Sequence, residues 1–129
     1  MTPQATFMIL AVIQAGQREN LRLLLESMNH SPGVVDPHNP LVPFGRFERL
    51  HVARFVILQA TSATEIERHG VASYPWYTSL VLLGDCDGDA ESFLAELARK
   101  AGDGLRRIFG HCEDFKTESP LLEWMLAHN

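Results

Sequence analysis

His51-Val52-Ala53-Arg54-Phe55-Val56-Ile57-Leu58 is the stretch whose reading decides the fold: apart from His51 and Arg54 it is apolar at consecutive positions. An antiparallel strand with one wet face alternates apolar and polar residues. This stretch does not alternate, and neither do Phe7 to Ile13 or Ser79 to Leu83. Both faces of the sheet they build are therefore expected to be covered. Few helices are available for the covering, which predicts a second copy of the chain against the other face, a homodimer.

The remaining elements work outward from these strands. Gly16 ends the first run, and Gln17 to Asn29 reads as a helix with Leu21, Leu24, Leu25 and Met28 on one stripe. His30-Ser31-Pro32-Gly33 stops it. Pro32 to Pro43 carries four prolines and reads as a loop, neither strand nor helix. A loop of that length is either a surface excursion or a functional segment.

Thr61 to Tyr74 is ambiguous, with a helical turn or two expected in Ala63 to His69. Leu80 to Leu83 is the third strand and is expected to exit through a turn, Gly84-Asp85-Cys86-Asp87-Gly88-Asp89. Asp89 is a suitable N-cap for a helix over Ala90 to Ala101, whose buried stripe is Phe93, Leu94, Leu97, Ala98 and Ala101. Gly102 and Gly104 interrupt it, and Leu105 to Phe109 reads as a further short helix. A fourth strand is expected within Gly110 to Thr117. Ser119-Pro120 then reads as an N-cap with proline at the first helical position, opening a short C-terminal helix near 119–128.

The chain of 129 residues reads as one domain, 1–129, with an ordinary apolar content of 46% and a net charge of −5. That charge disfavours a nucleic-acid surface. Its one basic cluster, Arg99, Lys100, Arg106 and Arg107, has the spacing of a solvated helix face. No run approaches the ~18 apolar residues of a membrane span. Met1 to Ala5 carries no basic signal-peptide region, so a cytoplasmic location is expected. Cys86 and Cys112 read as free, buried thiols.

The order strand, helix, strand, strand, helix, then a possible strand predicts an α+β fold. It resembles the ferredoxin-like βαββα(β) sandwich, an antiparallel sheet with two main helices on one face. More narrowly it resembles the dimeric α+β-barrel superfamily, through Leu50-His51-Val52-Ala53-Arg54-Phe55 leading to Asp87-Gly88-Asp89 and then Gly110-His111-Cys112. That superfamily implies sheet-to-sheet dimers. It includes small monooxygenases, isomerases, polyketide cyclases, haem enzymes and plain binding domains, so fold leaves function open.

Candidate site residues follow from strand geometry. His51, Ala53, Phe55 and Ile57 are expected on one face, and Val52, Arg54, Val56 and Leu58 on the other. A guanidinium is costly against packed helices, so Arg54 is assigned to the open face. There it either binds an anionic or carbonyl oxygen or completes a structural ion pair. His51 is suited to proton transfer, or is an ordinary strand-end histidine. Both can line one cavity only if a bulge lies between them. His111 is a second proton-transfer candidate; it and Cys112 point apart on an extended chain. Tyr77, with Tyr74 and Trp76, either lines an aromatic pocket or pins a loop.

Asp85, Asp87, Asp89 and Glu96 lack the glycine position of a calcium loop and read as turn and cap residues. No P-loop, dinucleotide glycine pattern, zinc spacing or Ser-His-Asp order is present in the sequence. The expected function is a small-molecule enzyme of cyclase, isomerase or monooxygenase type acting in a cavity on the open sheet face. The alternatives are a non-catalytic ligand-binding or dimerisation module, and a haem-binding protein using His51 or His111.

Overall fold

The computed structural model describes residues 4–31, 34–58 and 78–129. In chain order the elements are β1 (Gln4–Val12), α1 (Arg18–Glu26), β2 (Asn29–Ser31), β3 (Val34–Val35), a 3-10 turn (Phe44–Arg46), β4 (Leu50–Leu58), β5 (Ser79–Asp87), α2 (Ala90–Phe109) and α3 (Leu121–His128). The fold is α+β. β1, β5 and β4 form a three-stranded antiparallel sheet in that order, and β2 pairs with β3 in a separate ribbon. Among the described residues the sheet is open, with β1 and β4 as its outer strands.

Each strand's alternate positions lead to different surroundings. On β1, Phe7, Ile9 and Ala11 are buried, whereas Met8 is 55% and Leu10 44% exposed. The covered face joins the core with Leu80, Leu82 and Cys86 of β5, with Leu21, Phe93, Leu94 and Leu97 from the helices, and with Met28 just past α1. Phe7 stacks on Phe93 at 5.6 Å, and Phe55 meets Phe109 edge-on at 6.2 Å. These rings tie sheet to helix with the offset geometries aromatic pairs prefer. The opposite face leaves Met8, Leu10, Val52 and Leu58 exposed. The described residues of one chain therefore cover one face of the sheet, not both.

Several elements differ from their sequence reading, each for a packing reason. The stretch from Gly84 to Asp87 is strand, not turn. Gly84 pairs with both Phe7 and Ala53, and a Cβ there would meet the Phe7 ring at 2.6 Å, so glycine serves the packing of an aromatic ring. The turn itself falls on Gly88, whose φ of +81° suits a residue without Cβ. Asp89 then caps α2 by accepting from the Ser92 backbone N–H. α1 ends at Glu26, three residues before Asn29, because Asn29–Ser31 pairs with Val34–Val35. The β-branched valines thus place a short strand inside the proline-rich segment.

α2 is a single run with a kink at Ala101 (φ −124°, ψ 25°), not two separate helices. Gly104 lies beyond the kink, where the Leu41 carbonyl presses onto it: a Cβ would fall 1.8 Å from that oxygen. No strand forms in Gly110 to Thr117. A single bridge joins Ile13 to Cys112, flanked by Gln14 N–H donating to His111 O and Glu113 N–H donating to Val12 O. The chain then turns so that Leu121, Trp124 and Met125 of α3 reach the core. Trp124 packs on Phe109 at 4.7 Å, and Asn129 Oδ1 accepts from the Met8 N–H. α3 therefore takes the space beside β1 that a fourth strand would need. Pro120, not Ser119, is the residue that precedes α3; the Ser119 hydroxyl accepts from the Lys116 N–H. The helical turns expected in Thr61 to Tyr74 lie outside the described residues.

Candidate functional site

The site begins with one extra residue in β4. Leu50 pairs with Cys86, but Val52 pairs with the next residue of β5, Asp85. His51 is the surplus residue of this bulge. In an unbroken strand it would share a face with Ala53, Phe55 and Ile57. The bulge rotates it instead, and its Nε2 lies 2.6 Å from Asp87 Oδ1. Asp87 belongs to the open-face series of β5 with Asp85, Leu83 and Val81, the partners of Gln4, Thr6, Met8 and Leu10 on β1. His51 and Arg54 are thus not on opposite faces; the bulge brings His51 round toward the side from which Arg54 springs.

The open face has a polar end and an apolar end. Thr6 donates its hydroxyl to Asp85 Oδ1 at 2.7 Å, beside the His51–Asp87 pair. Met8, Leu10, Leu83, Val81, Val52, Val56 and Leu58 make up the rest, interrupted by Arg54. Because a carboxylate only accepts, the His51 nitrogen facing Asp87 carries the proton in the neutral ring, which leaves Nδ1 as the basic atom. Both partners are partly exposed, at 46% and 34%, so the pair adds little to stability and stays reachable by solutes.

Arg49, which sequence reasoning did not single out, sets the position of Asp87. Its Nε donates to Asp87 O at 3.0 Å and its second amino group to Asp89 O and Ser92 Oγ. The guanidinium also sits 5.8 Å from the centre of the Phe93 ring. It clamps the β5–α2 turn to the start of β4. The three acids of that turn accordingly have separate tasks: Asp85 accepts from Thr6, Asp87 holds His51, and Asp89 caps α2. Hydrogen bonds from Ser92 hold the Asp89 carboxyl below its ordinary value.

Two hollows run along the outer edge of β4. One, of about 520 Å³, has Leu25, Met28, Val35, Phe44, Phe55 and Ile57 as apolar wall and Arg22, Glu26 and Arg54 as charged rim. Arg22 is engaged with Glu19 and Glu26. Arg54 has no ion-pair partner among the described residues. The second hollow, of about 310 Å³, contains His51 with Pro37, Gly45, Leu50 and Val52. Val35 and Phe44 line both, so Arg54 and His51 stand in neighbouring compartments with these two side chains between them. Both dividing residues come from the proline-rich region, which thereby shapes the site; Phe44 is held against Phe55 at 6.1 Å.

His111 lies elsewhere. It shares a depression with Asn20, Leu23, Leu24, Ser27 and Arg107. Positions 20, 23, 24 and 27 form one flank of α1, and positions 22, 25 and 26 the opposite flank. The structure therefore separates His111 from Arg54 and His51. Its Nδ1 donates to Ile108 O at 3.2 Å. Cys112 is buried, and burial pushes its thiol up to about 12, so it is not an activated nucleophile. Tyr77, Tyr74 and Trp76 lie outside the described residues. Among the described residues no group of three or more His, Cys, Asp or Glu side chains gathers as a metal site would require, and no helix is long and apolar enough to cross a membrane. No protein-family model, no curated protein and no solved structure matches the chain.

Proposed function

We propose that this chain is a small-molecule enzyme of the isomerase or cyclase kind, using the two hollows on the outer edge of β4. The observation that carries the reading is Arg54: a cation without an ion-pair partner among the described residues, on the rim of an apolar cleft. Such a cleft suits a ligand with an apolar body and one anionic or carbonyl oxygen. Arg54 lies three residue steps along the strand from His51, a span of roughly 10 Å at ~3.3 Å per step. A substrate of that length would reach both. His51, oriented by Asp87, would take a proton from carbon next to a carbonyl through its Nδ1, while Arg54 stabilises the oxygen on which charge develops. His111 has no part in this arrangement. The ferredoxin-like assignment belongs to the same reading; strand order β1-β5-β4 with antiparallel neighbours supports it. Titration of the protein with 1-naphthoate and decanoate, followed by NMR of the arginine side chains, tests the proposal. Binding that shifts the Arg54 signal and weakens in Arg54→Met is the expected result. Binding unchanged in that variant rejects it.

A second reading, homodimerisation through the open face, is favoured by Met8 and Leu10 on β1 and Val52 and Leu58 on β4, apolar side chains exposed on the two strands that flank β5. Covering such area contributes about 25 cal/mol per Å². The two readings meet at Val52, which lines the His51 hollow, and from there the apolar surface spreads across β5 toward β1.

A further inference from the structure

We infer that the kink of α2 and the proline-rich loop together form a second, separate binding site for a small molecule carrying several phosphoryl groups. A cleft of about 720 Å³ lies there, and it shares no lining residue with either β4 hollow. Arg46 enters from the 3-10 turn that follows the loop, and Arg99, Lys100 and Arg106 from the two halves of α2, with His38 at the margin. Asp103 is the one acid in the lining. The whole chain has 11 basic residues and a net charge of −5. Four of its 11 Lys and Arg side chains thus face one concavity on an otherwise acidic molecule. A concave cluster of one sign focuses the field and concentrates counter-charged solutes.

The walls are built to stay in place. Asn39 is buried, and its side chain donates to Asp36 O and Val42 O while accepting from the Leu41 and Val42 N–H groups. Leu41 O is seated on Gly104, and Gly45 N–H donates to Pro37 O. Arg106 is oriented by Ser119 O at 2.9 Å and lies against Phe115. Lys100 is steadied by Glu96 and by the Phe47 ring. Arg46 and Arg99 have no ion-pair partner among the described residues. Preorganised guanidinium groups are the usual partners of phosphate oxygens, which they grip with paired N–H donors. A single carboxylate needs one such group; four cations match a di- or triphosphate. The concave, bounded lining and the acidic remainder of the chain disfavour a long nucleic acid, which spreads its phosphates over a broad basic face.

Calorimetric titration of the full chain with inorganic pyrophosphate and tripolyphosphate, at constant ionic strength, tests this inference. Saturable binding is expected, tighter for the triphosphate than for sulfate. Arg46→Gln and Arg99→Gln are each expected to weaken it by about ten-fold, equivalent to ~1.4 kcal/mol. Both side chains are exposed, so the unliganded melting temperature should not change. Absence of saturable binding, equal binding by the double variant, or tighter binding of a single-stranded oligonucleotide than of tripolyphosphate would each overturn the inference. Arg54→Met should bind tripolyphosphate as the wild type does, which keeps this site's failure distinguishable from that of the β4 hollows.

Discussion

The His51 imidazole and the Asp87 carboxylate meet at 2.6 Å only because β4 carries one residue more than β5 opposite it. The contact fixes a tautomer. With Nε2 donating to Asp87, Nδ1 is the unprotonated nitrogen of the neutral ring. Nitrogen-15 NMR of the ring above its titration range should therefore show the Nε2–H form, and Asp87→Ala should shift the population toward a mixture. A predominant Nδ1–H form in the wild type would contradict the geometry.

Arg54 is exposed and lacks an ion-pair partner among the described residues. Its replacement by Met is expected to change unfolding free energy by no more than about 0.5 kcal/mol, the range of surface substitutions away from special features. Had it belonged to a buried pair, the loss would be ~3–5 kcal/mol. Urea unfolding of Arg54→Met decides between the two.

Gly104 and Gly102 make a matched pair. A methyl at Gly104 collides with Leu41 O, whereas one at Gly102 meets only Leu121 Cδ2 at 3.8 Å. Gly104→Ala should cost about 1–3 kcal/mol through overpacking of the loop on the helix. Gly102→Ala should be neutral or stabilise by up to ~1 kcal/mol through helix propensity. Equal effects of the two substitutions in denaturant titrations would mean that the loop is not docked as described.

Both thiols are buried, and burial raises both pKa values, that of Cys112 from 9.0 to about 12. Neither should react with a disulfide reagent at pH 8 until the protein unfolds. The linkage has a definite sign. The native state holds the Cys112 proton more tightly than the unfolded chain, so this contribution is complete below pH 9 and is lost as pH rises from about 9 toward 12. Stoichiometric labelling of native protein at pH 8 would refute the burial of these groups.

Met8 and Leu10 are 55% and 44% exposed on the open face. If that face is the dimer interface, light scattering at micromolar concentration should give twice the chain mass of 14.5 kDa. Leu10→Asp should then yield monomer with intact secondary structure. A wild-type monomer would reject the sheet-to-sheet association while leaving the β4 hollows untouched.

Much of this architecture was legible locally. The runs at Phe7–Ile13, His51–Leu58 and Leu80–Leu83 fall within β1, its one-residue extension at Ile13, β4 and β5, because β-branched and aromatic side chains suit a pleated surface wherever it packs. The stripes Leu21–Met28 and Phe93–Ala101 mark the buried sides of α1 and α2, and Asp89 caps α2, since helical period and capping depend only on near neighbours. The lack of alternation in β1 predicts two covered faces; among the described residues it records apolar side chains, Met8 and Leu10, left exposed on one of them.

What chain-distant contacts decided is a different set. The bulge at His51 depends on β5, 36 residues away from its Asp87 partner, and no local pattern announces it. Glycine at 84 looks like a turn former until Phe7, far earlier in the chain, is seen to pack on it. The fourth strand gave way to α3 because Trp124 and Met125 found burial against the core, a competition that element order does not register. Arg46 joined Arg99, Lys100 and Arg106 because the Leu41 carbonyl docks on Gly104. Periodicity follows from the geometry of one segment with itself, so it is written in the sequence. Register, bulges and converging charges follow from which segments meet, and that is settled only when the whole chain packs.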